Sequence, residues 1–288
     1  MTHPEGTIRV DKGVAMTEPA AFARALNLVK DDGLRGVTIV TDWRDQEPDA
    51  PTCDLSLLAE VVPSIEHFAI ASGIPTRRTL NMESLYALRG LKALSLHEYS
   101  AFDLSHFPQL EELFLTERRG LRGLETLTAL RVMRITGLRA ADVSGWKDLR
   151  ALTDLWIIQA DRKTTTLSGL EVLTGLRHLE VHNCPKLTGL DGIPDGLLKL
   201  KVMRCAAFTD FAFLAGNASL DFLYATTLES LAFLPTIERI TGVGFESVVD
   251  GDLAPILATT TLRFVGCMDK KHHSHKCASL VEELKARP

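Results

Sequence analysis

The chain is organised around a short run of apolar residues whose spacing recurs along most of its length. The stretch Leu176–Leu187 reads LRHLEVHNCPKL, with apolar residues at its first, fourth and sixth positions. Leu179 and Val181 lie two residues apart, so on a strand they point to one face, while Glu180 and His182 point to the other. One such unit is too small to bury its own apolar face. The pattern therefore requires copies of itself stacked on both sides.

Copies of this pattern follow one another from residue 65 onward. Counted from the first apolar position of each, they start at residues 65, 91, 110, 130, 152, 176, 197, 220 and 237. The intervals of 17 to 26 residues are mostly those of leucine-rich repeats, about 20–29 residues, and they exclude the longer periods of helical repeats and propellers. Return segments such as Leu170–Gly175 have apolar residues three apart, which favours a short 3₁₀ turn.

The chain resembles the leucine-rich-repeat family, in particular bacterial proteins with short repeats, over residues 65–245. The resemblance implies an α/β fold, a leucine-rich-repeat solenoid (horseshoe). Its concave parallel β-sheet would have about ten strands, with short 3₁₀ or α turns on the convex side. In that family an asparagine or cysteine after each strand bonds neighbouring backbones. Here Cys184, Cys205 and Cys267 occupy or approximate that place.

Both ends depart from the repeat, which predicts caps that cover the last apolar layers. The predicted parts are an N-terminal cap at 1–62, the solenoid at 63–266, and a C-terminal cap of a loop and a helix at 267–288. In the first cap we expect a strand at Thr7–Val10, a helix at Ala20–Val29 with Thr17 as its N-cap, and a loop at 43–53. Further short helices are expected at Leu55–Val62, Asn81–Leu88 and Ser279–Ala286.

Charge and composition limit the classes of partner and the cell compartment that we expect for this protein. A net charge of -5 and a pI near 6.0 argue against a general nucleic-acid binder. No apolar run is long enough to span a bilayer, and residues 1–6 lack the shape of a signal peptide. We therefore expect a cytoplasmic protein that binds neither membrane nor nucleic acid and keeps its cysteines reduced. These cysteines are Cys53, Cys184, Cys205, Cys267 and Cys277.

The outward positions of the predicted strands place aromatic rings among charges, which is the composition of protein-binding surfaces. The predicted partner-binding residues are Phe114, Arg134, Trp156, Glu180, His182, Lys201 and Tyr224. Thr241 and Val243 are expected to continue this face. The leading hypothesis is a non-enzymatic protein-recognition module, an adaptor or an immunity-type inhibitor, that binds a partner protein on its concave face without a cofactor. The alternative interpretation is that neighbouring strands only tile their own face, with Glu180 pairing with Lys201.

Two clusters raise the question of a metal. His178, Glu180 and His182 share one strand face, but the two histidines stand about 13 Å apart along it. The segment Cys267–Cys277 holds two cysteines and three histidines, His272, His273 and His275. It supports the alternative of a zinc-binding module or a metal-dependent enzyme. We favour a polar loop leading into the C-terminal helix.

No familiar enzyme motif stands out in the sequence, which has no phosphate-binding loop, nucleophile elbow or HExxH zinc motif. His97–Glu98 offers an acid/base pair with no nucleophile placed beside it. Arg118–Arg122 and Asp161–Lys163 make a basic loop edge, and runs of this kind are usually solvated.

Overall fold

The computed structural model describes residues 7–40, 52–61, 65–71, 79–97, 102–117 and 120–287. The predictions for residues 1–6, for most of the loop at 43–53, for Glu98 and for residues 118–119 lie outside this part of the chain. The chain divides into two compact units, Met1–Ile135 and Thr136–Pro288. Each unit is described by itself.

The first unit is built on parallel strands joined by short turns. Its strands are β1 (Ile8–Asp11), β2 (Val14–Thr17), β3 (Gly36–Ile39), β4 (Cys53–Asp54), β5 (His67–Ile70), β6 (Thr79–Leu80), β7 (Ala93–Leu96), β8 (Glu112–Thr116) and β9 (Val132–Thr136). The main sheet has the order β1-β2-β3-β5-β7-β8-β9, and β4 pairs with β6 on the return path. The helix α1 spans Phe22–Asp31, and 3₁₀ turns span Pro19–Ala21, Leu55–Glu60, Met82–Ala87, Leu104–His106 and Leu124–Thr126.

The N-terminal cap differs from its prediction at two points. The strand expected at Thr7–Val10 exists as β1, but it forms an antiparallel hairpin with β2, which the sequence did not predict. Lys12 and Gly13 both have positive φ, which is the geometry of a tight hairpin turn. Thr17 is the last residue of β2 rather than a helix N-cap, and its hydroxyl donates to the Glu18 carbonyl. The prediction for Thr17 is wrong because a 3₁₀ turn precedes α1.

The return segments of the first unit are tighter than expected at two places. The segments predicted as short helices at Leu55–Val62 and Asn81–Leu88 are both 3₁₀ turns. The α-helical prediction at Asn81–Leu88 is wrong, because Asn81 is left-handed and the chain then turns too tightly for α geometry. Short returns of this kind let successive strands follow at the repeat period.

The second unit has the same plan and ends in a helical cap. Its strands are β10 (Asp154–Ile158), β11 (Thr166–Ser168), β12 (His178–His182), β13 (Gly189–Asp191), β14 (Lys199–Met203), β15 (Phe222–Leu228), β16 (Gly242–Val248) and β17 (Phe264–Cys267). The main-sheet order is β10-β12-β14-β15-β16-β17, and β11 pairs with β13. The helices are α2 (Ala254–Ala258) and α3 (Cys277–Lys285), with 3₁₀ turns at Ser144–Trp146, Leu170–Val172, Ala212–Leu214 and Leu234–Thr236.

The core of the second unit is a ladder of apolar side chains. Leu155, Leu179, Leu200, Leu223 and Val243 occupy the same rung of successive parallel strands. Each of them is 0% exposed. This register confirms the predicted stacking of repeats, in which each strand buries the apolar face of its neighbour.

One repeat was predicted out of register. Val243 pairs with Leu223, and Phe245 pairs with Ala225, so this repeat starts at Ile240 rather than at residue 237. Val243 therefore points into the core, and Gly242 and Gly244 take the outward positions. The prediction that Val243 continues the outer face is wrong. Thr241 is exposed, but it lies just before β16.

The residues that directly follow β9, β10, β12 and β14 are left-handed. Gly137, Gln159, Asn183 and Arg204 all have positive φ. The first three donate their N–H groups to carbonyls on the next strand, for example from Gln159 to His182 at 2.9 Å. Only glycine adopts this conformation without steric cost, so three exits retain a side chain at the expense of some strain.

Two cysteines take the backbone-bonding place that the family resemblance implies. The Ala160 N–H donates to Cys184 Sγ at 3.3 Å, and the Cys205 thiol donates to the Val181 carbonyl of the neighbouring strand at 3.7 Å. Cys267 does not follow them. It is the last residue of β17 and forms a disulfide with Cys277. The expectation of five reduced thiols is therefore wrong for this pair, while Cys53, Cys184 and Cys205 are free and buried.

The C-terminal helix lies close to its predicted position, at Cys277–Lys285. Its buried face consists of Leu280 and Leu284, which are at most 2% exposed. The disulfide fixes the first turn of this helix to the end of β17. In the described part of the chain, no helix has the length and apolar character needed to cross a membrane.

Candidate functional site

The residues predicted to bind a partner fall in both units. Phe114 lies on β8 and is half-buried, and Arg134 lies on β9 and is exposed; both belong to the first unit. The other five lie on β10, β12, β14 and β15 of the second unit. The main sheet of the second unit consists of β10, β12, β14, β15, β16 and β17. We call the side of this sheet that faces away from the leucine core the open face.

The open face carries one row of partly exposed side chains. Trp156 pairs with Glu180, Glu180 with Lys201, and Lys201 with Tyr224, so four predicted residues stand on consecutive rungs. All four are half-buried. Neighbouring parallel strands lie about 4.8 Å apart, so the row runs straight across the sheet. The predicted alignment of Trp156, Glu180 and Lys201 is confirmed, and that of Arg134 with them stays a prediction.

Glu180 is the electrostatic centre of this row. Lys201 Nζ donates to its Oε1 at 2.8 Å, and His182 Nε2 lies 3.0 Å from its Oε2. Burial works against the charged carboxylate, but the hydrogen bonds from Lys201 and His182 outweigh it and lower the pKa of Glu180. Both oxygens therefore have partners within the protein. Glu180 therefore pairs with Lys201, as the alternative interpretation expected.

This network predicts a pH dependence of stability. Because the pKa of Glu180 lies below its ordinary value of 4.5, its ionic contribution is complete above that pH and is lost as the pH falls through the lowered pKa. Unfolding titrations between about pH 6 and pH 3 should show a steeper loss for the wild type than for Glu180→Gln. The matched control is Glu171→Gln, at an exposed return-path position. Equal slopes for wild type and Glu180→Gln would contradict the assigned network.

Beyond Tyr224 the row continues over glycine. Tyr224 pairs with Gly244, which pairs with Gly266. A Cβ at Gly244 would stand 2.6 Å from Tyr224 Cδ2, so the ring lies directly against the glycine backbone. Burial, together with the negative charge of Glu246, raises the pKa of Tyr224. Tyr224 thus has a structural role that its sequence position did not reveal, although the glycines at alternate positions were a usable signal.

The row below has the same construction. Phe222 pairs with Gly242, which pairs with Phe264, and the two phenyl rings lie 6.5 Å apart across the glycine. Phe264 is 55% exposed, although it is a large apolar residue. Aromatic side chains that cover strand glycines stabilise a sheet. The exposure of Phe264 leaves apolar surface available for contact.

A second acid–base pair lies at the foot of the open face. His178 Nδ1 lies 2.6 Å from Asp154 Oδ1, and the Thr153 hydroxyl donates to Asp154 Oδ2 at 2.7 Å. Catalysis by such a pair needs a nucleophile or a bound substrate beside the free ring nitrogen. The structure places no serine, cysteine or lysine in hydrogen-bond contact with His178 among the described residues. Asp154 therefore orients the His178 imidazole.

The C-terminal cysteine and histidine cluster is engaged in packing. Its two thiols form the Cys267–Cys277 disulfide. His272 Nε2 lies 2.9 Å from the Val248 carbonyl, and His273 Nε2 accepts the Val248 N–H at 3.2 Å. Across the described ranges, no three His, Cys, Asp or Glu side chains converge as metal ligands would. The two cysteines that the zinc alternative would use are bonded to each other instead.

Among known proteins, similarity to this chain was found in solved structures. No family model and no curated protein matches the chain. An internalin (inlF) from Listeria monocytogenes is similar, with a TM-score of 0.48 and 18% identity over 74% of this chain. The chain spans 65% of the length of that internalin. An internalin C2 (inlC2) from the same organism has a TM-score of 0.40 and 20% identity, covering 73% of this chain and 83% of its own.

These likenesses are too distant to carry an argument about function. The fold is defined by the chain itself, through its recurring leucine spacing, its parallel register and its buried ladder of leucines. It is an α/β leucine-rich-repeat solenoid.

Proposed function

We propose that the protein is a non-enzymatic recognition module that binds a partner protein through the open face of its sheet. The observation that carries the proposal is the row Trp156, Glu180, Lys201 and Tyr224, held in register on four adjacent strands. Two aromatic rings flank a charged pair on surface that is only partly covered. Aromatic anchors with charges beside them are the composition of binding hot spots.

Rigidity supports this proposal. Glu180 is held by Lys201 and His182, and Tyr224 rests on Gly244, so these groups lose little freedom when a partner binds. Side chains ordered in advance reduce the entropic cost of association. Arg134 and Phe114 of the first unit are proposed as further contacts. An adaptor or an inhibitor of another protein needs this kind of surface and no cofactor. The predicted cytoplasmic location and the absence of nucleic-acid and membrane partners stay predictions.

Trp156→Ala should weaken partner binding by at least about 2 kcal/mol, because large aromatic side chains are typical hot-spot residues. The fold should be affected much less, because the ring lies outside the leucine core. The partner is first captured on the immobilised protein and identified by mass spectrometry. Its affinity for wild type and variant is then measured by titration beside a thermal melt.

Charge reversal supplies the matched comparison. Glu180→Lys should also impair binding, whereas Glu171→Lys, the same change at an exposed return-path position, should not. Normal binding by Trp156→Ala and Glu180→Lys, combined with loss in Glu171→Lys, would place the binding surface on the other side of the sheet and refute the proposal.

A further inference from the structure

A groove lies at the edge of the second unit where β14 to β17 begin. Its volume is about 560 Å³, and its lining includes Leu198, Asp221, Glu238, Arg239, Thr241 and Arg263. This size is within the range of about 300–1,000 Å³ for sites that hold small ligands. The groove is separate from the row of residues on the open face.

The repeat itself builds the floor of the groove. Leu198, Asp221, Thr241 and Arg263 each follow the first buried apolar residue of their own repeat. Backbone hydrogen bonds connect them as successive rungs, from Asp221 to Leu198 at 2.9 Å, from Thr241 to Asp221 at 2.8 Å and from Arg263 to Thr241 at 2.8 Å. Four repeats therefore contribute one residue each to a single surface. Arg239 precedes Thr241 by two residues and lines the same groove.

The two arginines of the groove have no acidic partner. Arg263 Nη1 donates to the carbonyls of Thr260 at 2.9 Å and Leu262 at 3.1 Å, so its guanidinium is held in place by the backbone. Both Arg239 and Arg263 are exposed. Neither forms an ion pair with a carboxylate of the described residues. Their positive charges are available to a ligand.

The groove also contains two acidic residues. One carboxylate oxygen of Asp221 accepts the Thr241 hydroxyl, which ties this side chain to the neighbouring strand. Glu238 is exposed and has no ion pair in the described part of the chain. In the first unit, the equivalent row pairs internally, with Lys92 Nζ 2.7 Å from Glu66 Oε1. Lys92 thus has a carboxylate partner in its own row, which Arg239 and Arg263 lack among the described residues.

We infer that this groove binds a peptide segment of a partner through a carboxylate, either an acidic side chain or a chain terminus. A planar guanidinium offers paired donors that match a carboxylate, and the fixed position of Arg263 favours that geometry. Leu198 lines the same groove and is 39% exposed, which adds apolar surface to it. The segment that fits carries an acidic group with an apolar side chain beside it. This site does not depend on the proposed function of the open face.

The test is selection from a phage-displayed library of random heptapeptides on the intact protein. Peptides selected on the wild type should be enriched in Asp or Glu next to a large apolar residue. A synthetic peptide of the leading sequence should bind at least 10-fold more weakly to Arg239→Gln and to Arg263→Gln, and Glu238→Gln should bind it more tightly. Replacing its acidic residue with the amide should cause a comparable loss.

The chain offers a matched control for Arg263. Arg177 Nη1 donates to the Thr174 and Leu176 carbonyls at 3.1 and 3.0 Å, as Arg263 does to the carbonyls of its own repeat. Arg177 does not line the groove. Arg177→Gln should bind the peptide like the wild type. If Arg263→Gln unfolds in a thermal melt, Arg239→Gln decides alone, because no described backbone contact depends on its side chain.

Three outcomes would overturn the inference. If the selected peptides are not enriched in Asp or Glu, the groove does not recognise a carboxylate. Displacement of the peptide by inorganic phosphate at equal concentration would indicate a general anion site. Loss of peptide binding in Trp156→Ala, with Arg239→Gln unaffected, would place the peptide on the open face. In that last case the groove is refuted while the proposed function stands, so the two proposals fail separately.

Discussion

Replacing Leu179 with alanine should lower the free energy of unfolding by about 2–5 kcal/mol, the range for truncating a fully buried leucine. Leu179 is 0% exposed and lies between Leu155 and Leu200 on the same rung of three adjacent strands. Strand backbones fix the spacing of these layers, so the surrounding side chains have little room to close the cavity. The loss is measured by urea denaturation.

The matched control is a leucine whose side chain is partly exposed. Leu198→Ala removes the same atoms from a side chain that is 39% exposed. It should cost well under half as much, because surface truncations usually change stability by about 0.5 kcal/mol or less. Equal losses for the two variants, or a loss below about 1 kcal/mol for Leu179→Ala, would contradict the assigned core ladder.

Strict alternation explains why the open face of β10, β12 and β14 was predictable from sequence. Leu179 and Val181 fix which face of β12 is buried, and Glu180 between them then has to point outward. The same rule applied to the neighbouring strands aligns Trp156 with Lys201. Register follows from the side-chain pattern where buried apolar residues alternate with outward residues whose side chains mark the other face.

The same rule failed at β16 for a physical reason. Gly242 and Gly244 have no side chains, so the pattern around Ile240 was compatible with two registers three residues apart. The structure selects the one that buries Val243 and Phe245. Glycine at outward positions is explained by Phe222 and Tyr224, whose rings occupy the space above it. That information lies on the preceding strand rather than in the repeat itself.

The groove could not be predicted from the sequence of any single repeat, because several repeats contribute to its lining. Arg263 and Arg239 belong to different repeats and look like ordinary solvated charges in the sequence. Only the ladder of backbone hydrogen bonds shows that Asp221, Thr241 and Arg263 form one surface. The N-terminal hairpin was missed because Thr17 was interpreted as a helix N-cap, whereas it is the last residue of β2.

Breaking the Cys267–Cys277 disulfide should destabilise the C-terminal cap. The bond joins residues with a sequence separation of 10, and closing a loop of this length is worth about 3 kcal/mol in the chain-entropy model. Without it, α3 is held by Leu280 and Leu284 and by the contacts of His272 and His273 with Val248. Cys277→Ser should therefore lower the melting temperature measurably.

Reduction provides the internal control for this prediction. Dithiothreitol should lower the melting temperature of the wild type to that of Cys277→Ser, and it should have no effect on the double variant Cys267→Ser/Cys277→Ser. Alkylation of the unfolded, unreduced protein, followed by mass spectrometry, should label Cys53, Cys184 and Cys205 only. Labelling of Cys267 or Cys277 under those conditions would show that the bond is not formed. An unchanged melt on reduction, with the bond shown to be present, would instead mean that packing of Leu280 and Leu284 alone secures the cap.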